Sequence, residues 1–146
     1  MPALYGDVIL DRFRHPRFQG ELHTPDGASE DVNPLCGDRV RIEVRVDGLQ
    51  PWTIEAVRYR GDACAIALAS ADLLAEMVEG RPVREALGVS RETLLEALQA
   101  DIRRSRLGCV ALPLSVLHAA LAALAVTPDG SPMPGPRRPA YTGGPG

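Results

Sequence analysis

Four residues of this chain have the types and placement to do chemistry together: Cys36, Cys64, Cys109 and Asp38. Cys36 stands in Asn33-Pro34-Leu35-Cys36-Gly37-Asp38, Cys64 in Gly61-Asp62-Ala63-Cys64-Ala65, and Cys109 in Arg106-Leu107-Gly108-Cys109-Val110. Each falls at an expected boundary between elements: before a first strand, between a second strand and a helix, and just before a last helix. A thiol at a helix start meets unpaired backbone N–H groups and the positive end of the helix dipole, which favour the thiolate. The thiolate is the form that binds metal and attacks sulfur. Cys64 and Cys109 both have this expected placement, and Arg106 precedes Cys109 by three residues. Gly37 permits a tight turn that can direct the Asp38 carboxylate toward the same centre. Three thiolates and a carboxylate suit tetrahedral zinc, or form an incomplete thiolate set for an iron–sulfur cluster. There is no C-x-x-C pair, so spacing alone leaves two readings open: a shared centre, or separate buried thiols acting as small hydrophobes.

The bulk composition limits the alternatives. An odd cysteine count argues against a disulfide framework. The length of 146 residues suits one domain with a hydrophobic core, and 45% hydrophobic with 24% charged residues is ordinary for a globular chain. A net charge of −3, with arginines spread along the chain, speaks against nucleic-acid binding, which relies on clustered basic residues. The sequence is read as having no apolar run approaching the roughly 20 residues of a membrane span, and no secretory signal pattern. The expectation is a cytoplasmic protein with no membrane or nucleic-acid partner.

Periodicity supplies the elements that must position the four residues. Residues 3–14 place Leu4, Tyr5, Val8, Ile9 and Phe13 on one helical face, with Asp7, Asp11 and Arg12 elsewhere, and Pro16 ends the helix. Residues 17–35 read as a long irregular loop. Residues 39–46 alternate strictly, with Val40, Ile42, Val44 and Val46 on one side, and Asp47-Gly48 signals a turn. Trp52, Ile54, Val57 and Tyr59 form a second strand whose alternation slips near Glu55-Ala56, as at a bulge, and Gly61 ends it. Ala65 to Glu79 reads as a helix closed by Gly80. Short helices follow at 82–87 and at 91–99, the latter with Ser90 as N-cap. The last helix, from about Val110 to Ala125, is nearly all apolar and therefore central. Residues 127–146 contain six prolines and five glycines and are expected to be a disordered tail beyond a domain spanning 1–126.

Taken in order, Leu4-Tyr5 with its helix, Pro16-Arg17 and Gly20, the Asn33-to-Asp38 element, Cys64-Ala65-Ile66-Ala67, and Arg106 before Cys109 resemble the NifU N-terminal/IscU/SufU family over about residues 3–125. The resemblance implies an α+β fold, a small antiparallel β-sheet with helices packed on one face and the cysteines together at one exposed end. It implies iron–sulfur cluster assembly: a scaffold, not an enzyme, that receives persulfide sulfur from a cysteine desulfurase. A transient [2Fe–2S] cluster would be held on Cys36, Cys64 and Cys109 and passed to apo iron–sulfur client proteins. Metal ligands by this resemblance are Cys36, Asp38, Cys64 and Cys109, and zinc can occupy the same four. The alternative is a zinc-bound SufU-type sulfur acceptor, sulfurtransferase-like in its activity, that activates its desulfurase. Tyr5 is matched to desulfurase docking or to core packing.

The chain departs from both branches of that family. It shares Asn33-Pro34 and Arg106 with the SufU type, but Cys64 and Cys109 are only 45 positions apart, too close for that type's insertion. Gly108 stands where the IscU type has histidine and the SufU type lysine, and no Leu-Pro-Pro-Val-Lys motif precedes it. A fourth ligand must then be Asp38 or an external group. Asp62 near Cys64 is expected to oppose the helix-dipole effect. His15, His23 and His118 are read as exposed or packed side chains, and Trp52 and Tyr59 as packing in the sheet.

Overall fold

The alternating valines and isoleucine of residues 39–46 anchor the architecture. In the computed structural model, which describes residues 6–35, 37–47 and 51–125, they belong to β2, Asp38–Val46, and all four are essentially without solvent exposure. β2 is the middle strand of an antiparallel sheet of order β1-β2-β3, with β1 at Gly27–Asn33 and β3 at Ile54–Asp62. Opposite β2, Val57 pairs with Val44 and Tyr59 with Ile42, so one face of the sheet is continuous apolar surface. Arg45 pairs with Ala56 but Val46 with Ile54, leaving Glu55 as the extra residue of a bulge where the sequence alternation slips.

Two helices cover that face: α2, Ala65–Val78, and α5, Leu107–Ala125. Against the expectation of no apolar stretch of membrane-spanning length, the helical stretch Arg104–Leu124 is long and apolar enough by length and composition. Its apolar surface is used inside the protein: Val110, Leu112, Leu114, Val116, Leu117, Leu121 and Leu124 are buried in the core. A helix apolar on most sides is what a central core position demands. Between the two lie α3, Val83–Leu87, and α4, Arg91–Leu98, the latter capped by the Ser90 hydroxyl accepting from Thr93 N–H at 3.1 Å, as expected. A 3-10 turn at Arg104–Arg106 leads into α5.

The expected loop at 17–35 contains β1. Its sequence, Gly-Ala-Ser-Glu-Asp-Val-Asn, has no apolar alternation, because an edge strand pairs through its backbone and keeps polar side chains toward solvent. The preceding segment is ordered as well. Gly20 N–H and Tyr59 C=O (2.8 Å), with Tyr59 N–H and Phe18 C=O (3.1 Å), join it to the free edge of β3. It then crosses the outer face, where Leu22 N–H donates to Glu43 Oε1 at 2.7 Å, and reaches β1. Glu43 is therefore buried although it points away from the core, and Arg41 Nε at 2.8 Å balances its charge.

α1, Gly6–Arg14, shows a second departure from periodicity. Phe13 is exposed, and Arg12, assigned to the polar side, is buried. The cause is Asp72 of α2, which is fully buried. It accepts from Arg12 Nη1 at 3.0 Å, Arg17 N–H at 2.9 Å and Phe18 N–H at 2.8 Å. Burial first, and then the charge and hydrogen bond of Asp72, hold the Tyr59 phenol well above its ordinary range. One carboxylate thus ties α1, the crossing segment and β3 to α2. The expected helix start at 3–5, with Tyr5, the Gly48 turn residue and the tail at 127–146 lie outside the described residues. Removing one partner of a buried charge pair strands the other. Asp72→Ala should therefore lower the unfolding free energy by about 3–5 kcal/mol in urea titrations; a loss below about 1 kcal/mol, the scale of an exposed ion pair, would contradict this role.

Candidate metal centre

The end of the sheet where β2 begins is also where α2 and α5 begin. Cys64 is the N-cap of α2: its backbone is extended and its C=O accepts from Leu68 N–H at 3.0 Å. Its own N–H donates to Asp38 Oδ1 at 3.0 Å. Asp38, the first residue of β2, pairs in register with Asn33, the last of β1, so the ladder fixes its backbone while Cys64 fixes its carboxylate. Asp38 is only 5% exposed, and its second oxygen, Oδ2, is buried with no hydrogen-bond partner among the described residues. An orphaned buried carboxylate oxygen is costly unless something positive takes it up.

The thiols stand beside it. An Asp38 carboxylate oxygen, Cys64 Sγ and Cys109 Sγ all lie within 4.8 Å of one another. The donor types and the unpartnered Oδ2 fit zinc or a thiolate-held iron centre. These three residues are the group that can hold a metal among the described residues. Cys36 itself lies outside the described residues, but its neighbours are placed: Gly37 N–H donates to Asn33 C=O at 2.7 Å, and Gly37 takes a φ of +76°. The tight turn expected at Gly37 is present, in left-handed backbone that favours glycine, and it leads the chain into β2 at Asp38.

Three expectations need correction. Cys109 does not precede the last helix; α5 begins at Leu107, which places Cys109 within its first turn. Its thiol is also not made acidic. Burial, then hydrogen bonding and charge at Cys64, then the Asp38 carboxylate, push it up to about 12, and a hydrogen bond from Arg106 pulls down without overcoming them. The helix start loses because Cys109 is only 2% exposed and shares its space with other groups that carry or develop negative charge. The cysteine end is accordingly less open than expected, with Cys64 half-buried and Cys109 buried. Asp62 ends β3 on the exposed side, paired with Arg39. His15 and His23 are exposed, and His118 is half-buried with an unpartnered Nε2; none belongs to the cysteine group. Sequence reading passed over the Asp38–Cys64 backbone bond, because nothing in the spacing of 26 residues signals a side chain capping a distant helix.

Fold and site together define a small α+β domain built around a thiol–carboxylate centre at the start of two helices. The family model described as "NifU-like N terminal domain" matches residues 4–128, and the chain belongs to that family. A "Bifunctional protein NifU/MnmA" of Rubrobacter xylanophilus is 37% identical over 120 residues, 82% of this chain and 24% of that protein. The "Iron-sulfur cluster assembly scaffold protein IscU 1" of Archaeoglobus fulgidus is 30% identical over 81% of this chain and 74% of its own length. The "Zinc-dependent sulfurtransferase SufU" of Bacillus subtilis is 34% identical over 62% of this chain and 59% of its own. The chain thus spans about a quarter of the first relative and under two thirds of the third. A solved structure described as an iron–sulfur cluster assembly scaffold for the SUF system, from Fervidobacterium islandicum, superposes with a TM-score of 0.69 at 25% identity. It covers 80% of this chain and 96% of that one.

The raised Cys109 thiol fixes the sign of a pH dependence. The free protein keeps that proton through neutral pH, whereas coordination of a metal by Cys109 would remove it, so protons would compete with metal and the competition would fall as pH rises. Zinc affinity measured against a chromophoric chelator should climb about tenfold or more per pH unit from pH 6 to 8. An affinity flat across that range would contradict thiol coordination.

Proposed function

We propose that this chain is an iron–sulfur cluster assembly scaffold that receives sulfur from a cysteine desulfurase and holds a nascent [2Fe–2S] cluster on Cys36, Cys64 and Cys109. The observation that carries the reading is the unpartnered Asp38 Oδ2 in a group whose ligand atoms lie within 4.8 Å of one another. The similarity to a scaffold along most of the chain supports it. Asp38 supplies the oxygen ligand, held in orientation by the Cys64 N–H. Residues 1–126 form the working domain in this reading, and 127–146 an appended tail.

Sulfur transfer needs a thiolate at this centre to attack the outer sulfur of the desulfurase persulfide. A new S–S bond forms on the acceptor cysteine, the old one breaks, and the desulfurase cysteine leaves as thiolate. Of the two described thiols, Cys64 is the more accessible to such a donor. Iron and sulfide are the cargo here, the persulfide sulfur becoming sulfide only with two electrons from an external reductant, and the chain's own work is to bind, orient and partly shield them from water. Delivery to apo iron–sulfur proteins completes the role, and it requires no turnover by this chain.

The mixed thiol–carboxylate set favours a second reading. It equally suits resident zinc, and one relative is a zinc-dependent sulfurtransferase. In that case the chain is a sulfur acceptor that activates its desulfurase. Zinc would be held by the same Asp38 and cysteines and would keep the thiols deprotonated at neutral pH.

Anaerobic purification with elemental analysis and visible spectra, before and after reconstitution with iron, sulfide and thiol, separates the two. The scaffold reading predicts a visible sulfur-to-iron chromophore that is lost in Cys36→Ser, Cys64→Ser and Cys109→Ser. Stoichiometric zinc that resists exchange, with persulfide formed on mixing with desulfurase, would establish the second reading. A protein that takes up neither metal would overturn both.

A further inference from the structure

Arginines in the body of the fold stand against carboxylates: Arg12 against Asp72, Arg41 against Glu43, Arg45 against Glu55 and Arg58 against Glu79, at 2.8–3.0 Å. The matching stops at the entry to α5. Arg103 and Arg104 are exposed, and neither makes an ion pair among the described residues. Asp101, the nearest acid along the chain, makes none either. Arg106 N–H donates to Arg103 C=O at 2.8 Å and closes the 3-10 turn. With three residues per turn, Arg103 lies on the same side as Arg106, whose side chain bonds the Cys109 thiol. The two unmatched cations therefore border the candidate centre.

Helix electrostatics make this placement unfavourable. A helix start presents unpaired N–H groups and the positive end of the dipole, where carboxylates stabilise and cations do not. α4 follows that rule, with Glu92 in its first turn. α5 reverses it: its first turn holds no acidic residue, and three arginines fill the four positions Arg103–Arg106 just before it. They repel one another and the helix start, and Arg103 and Arg104 gain no partner inside the fold in return. In a chain of net charge −3, the result is a local positive face at the cysteine end. A local rule broken with no compensation within the domain marks a surface used by something outside it.

We propose that Arg103 and Arg104 form a docking contact for an acidic surface on the sulfur-donating partner, and draw that partner to the centre at Cys64 and Cys109. This rests on the proposed role as acceptor of persulfide sulfur, which both readings of the site share. Carboxylates on the partner supply what the turn lacks: acceptors for the guanidinium forks, and negative charge at the start of α5. An exposed charged contact at the rim acts on encounter more than on the lifetime of the complex. Two cations in one turn are a poor match for a nucleic acid, which is bound by basic charge spread along its phosphates.

The test is stopped-flow association of the full chain with a cysteine desulfurase from the same organism, in salt from about 20 to about 500 mM. Wild type is compared with Arg103→Glu/Arg104→Glu and with Arg84→Glu/Arg91→Glu, which makes the same charge change at two exposed arginines elsewhere. Wild-type association should slow about tenfold or more across that salt range. Arg103→Glu/Arg104→Glu should associate about tenfold more slowly at low salt and converge with wild type at high salt, with little change in dissociation. The control pair should stay within about twofold of wild type. Melting of Arg103→Glu/Arg104→Glu should hold or rise, because acidic residues suit the start of α5, and Co²⁺ uptake should be retained. Unchanged association in Arg103→Glu/Arg104→Glu, an equal loss in the control pair, or a loss that follows lowered melting or lost Co²⁺ uptake would overturn the contact. A wild type that takes up metal yet meets the desulfurase at no salt concentration would instead refute the sulfur-acceptor reading beneath it, so the two failures are distinct.

Discussion

The hydrogen bond from Cys64 N–H to Asp38 Oδ1 is the constraint on which the site depends. It caps α2 with a carboxylate from the sheet, where the helix's own N-cap side chain makes no cap bond. An acidic group at a helix start is favourable both as an acceptor and against the dipole. By holding Oδ1 there, the bond leaves Oδ2 buried and unpaired beside two thiols. Structural stabilisation of α2 and preparation of the candidate cation site are one interaction.

The rest of the fold maintains the setting for that bond. Strict alternation in β2 holds Asp38 at a sheet end facing the helices, and the Val44–Val57 and Ile42–Tyr59 pairs keep the ladder in register. A register slip of one residue would turn Asp38 to the outer face. Far from the thiols, buried Asp72 gathers Arg12, Tyr59 and two backbone N–H groups, which fixes α1 and the crossing segment on α2. The same low-dielectric surroundings that make this network strong make the Cys109 proton hard to remove. The candidate centre is thus a protonated Cys109 thiol beside a fixed carboxylate, a balance that a bound cation would reverse.

Most of the architecture was legible in the sequence where side chains carry the information. β2, the bulge in β3, the Ser90 cap and the central apolar helix all follow from periodicity or capping chemistry. β1 was not legible, since an edge strand of Gly-Ala-Ser-Glu-Asp-Val-Asn is specified by its partner's backbone and not by its own pattern. Arg12 was misplaced because helical periodicity cannot foresee a carboxylate buried 60 residues away. Of the candidate site, Asp38, Cys64 and Cys109 come together as the Cys-Gly-Asp context and element boundaries led one to expect. The acidity of Cys109 did not follow, because a helix-start argument omits burial and neighbouring charge. Gly108 reads as a missing ligand, and in the structure it stands exposed in the first turn of α5, immediately before Cys109.

The central claim is that the three cysteines and Asp38 act as one centre, and X-ray absorption at the zinc edge of the loaded protein tests it most directly. The account predicts three sulfur scatterers at about 2.3 Å and one oxygen at about 2.0 Å, with the oxygen shell altered in Asp38→Ala. A first shell of oxygen and nitrogen with at most one sulfur, unchanged by that substitution, would contradict it.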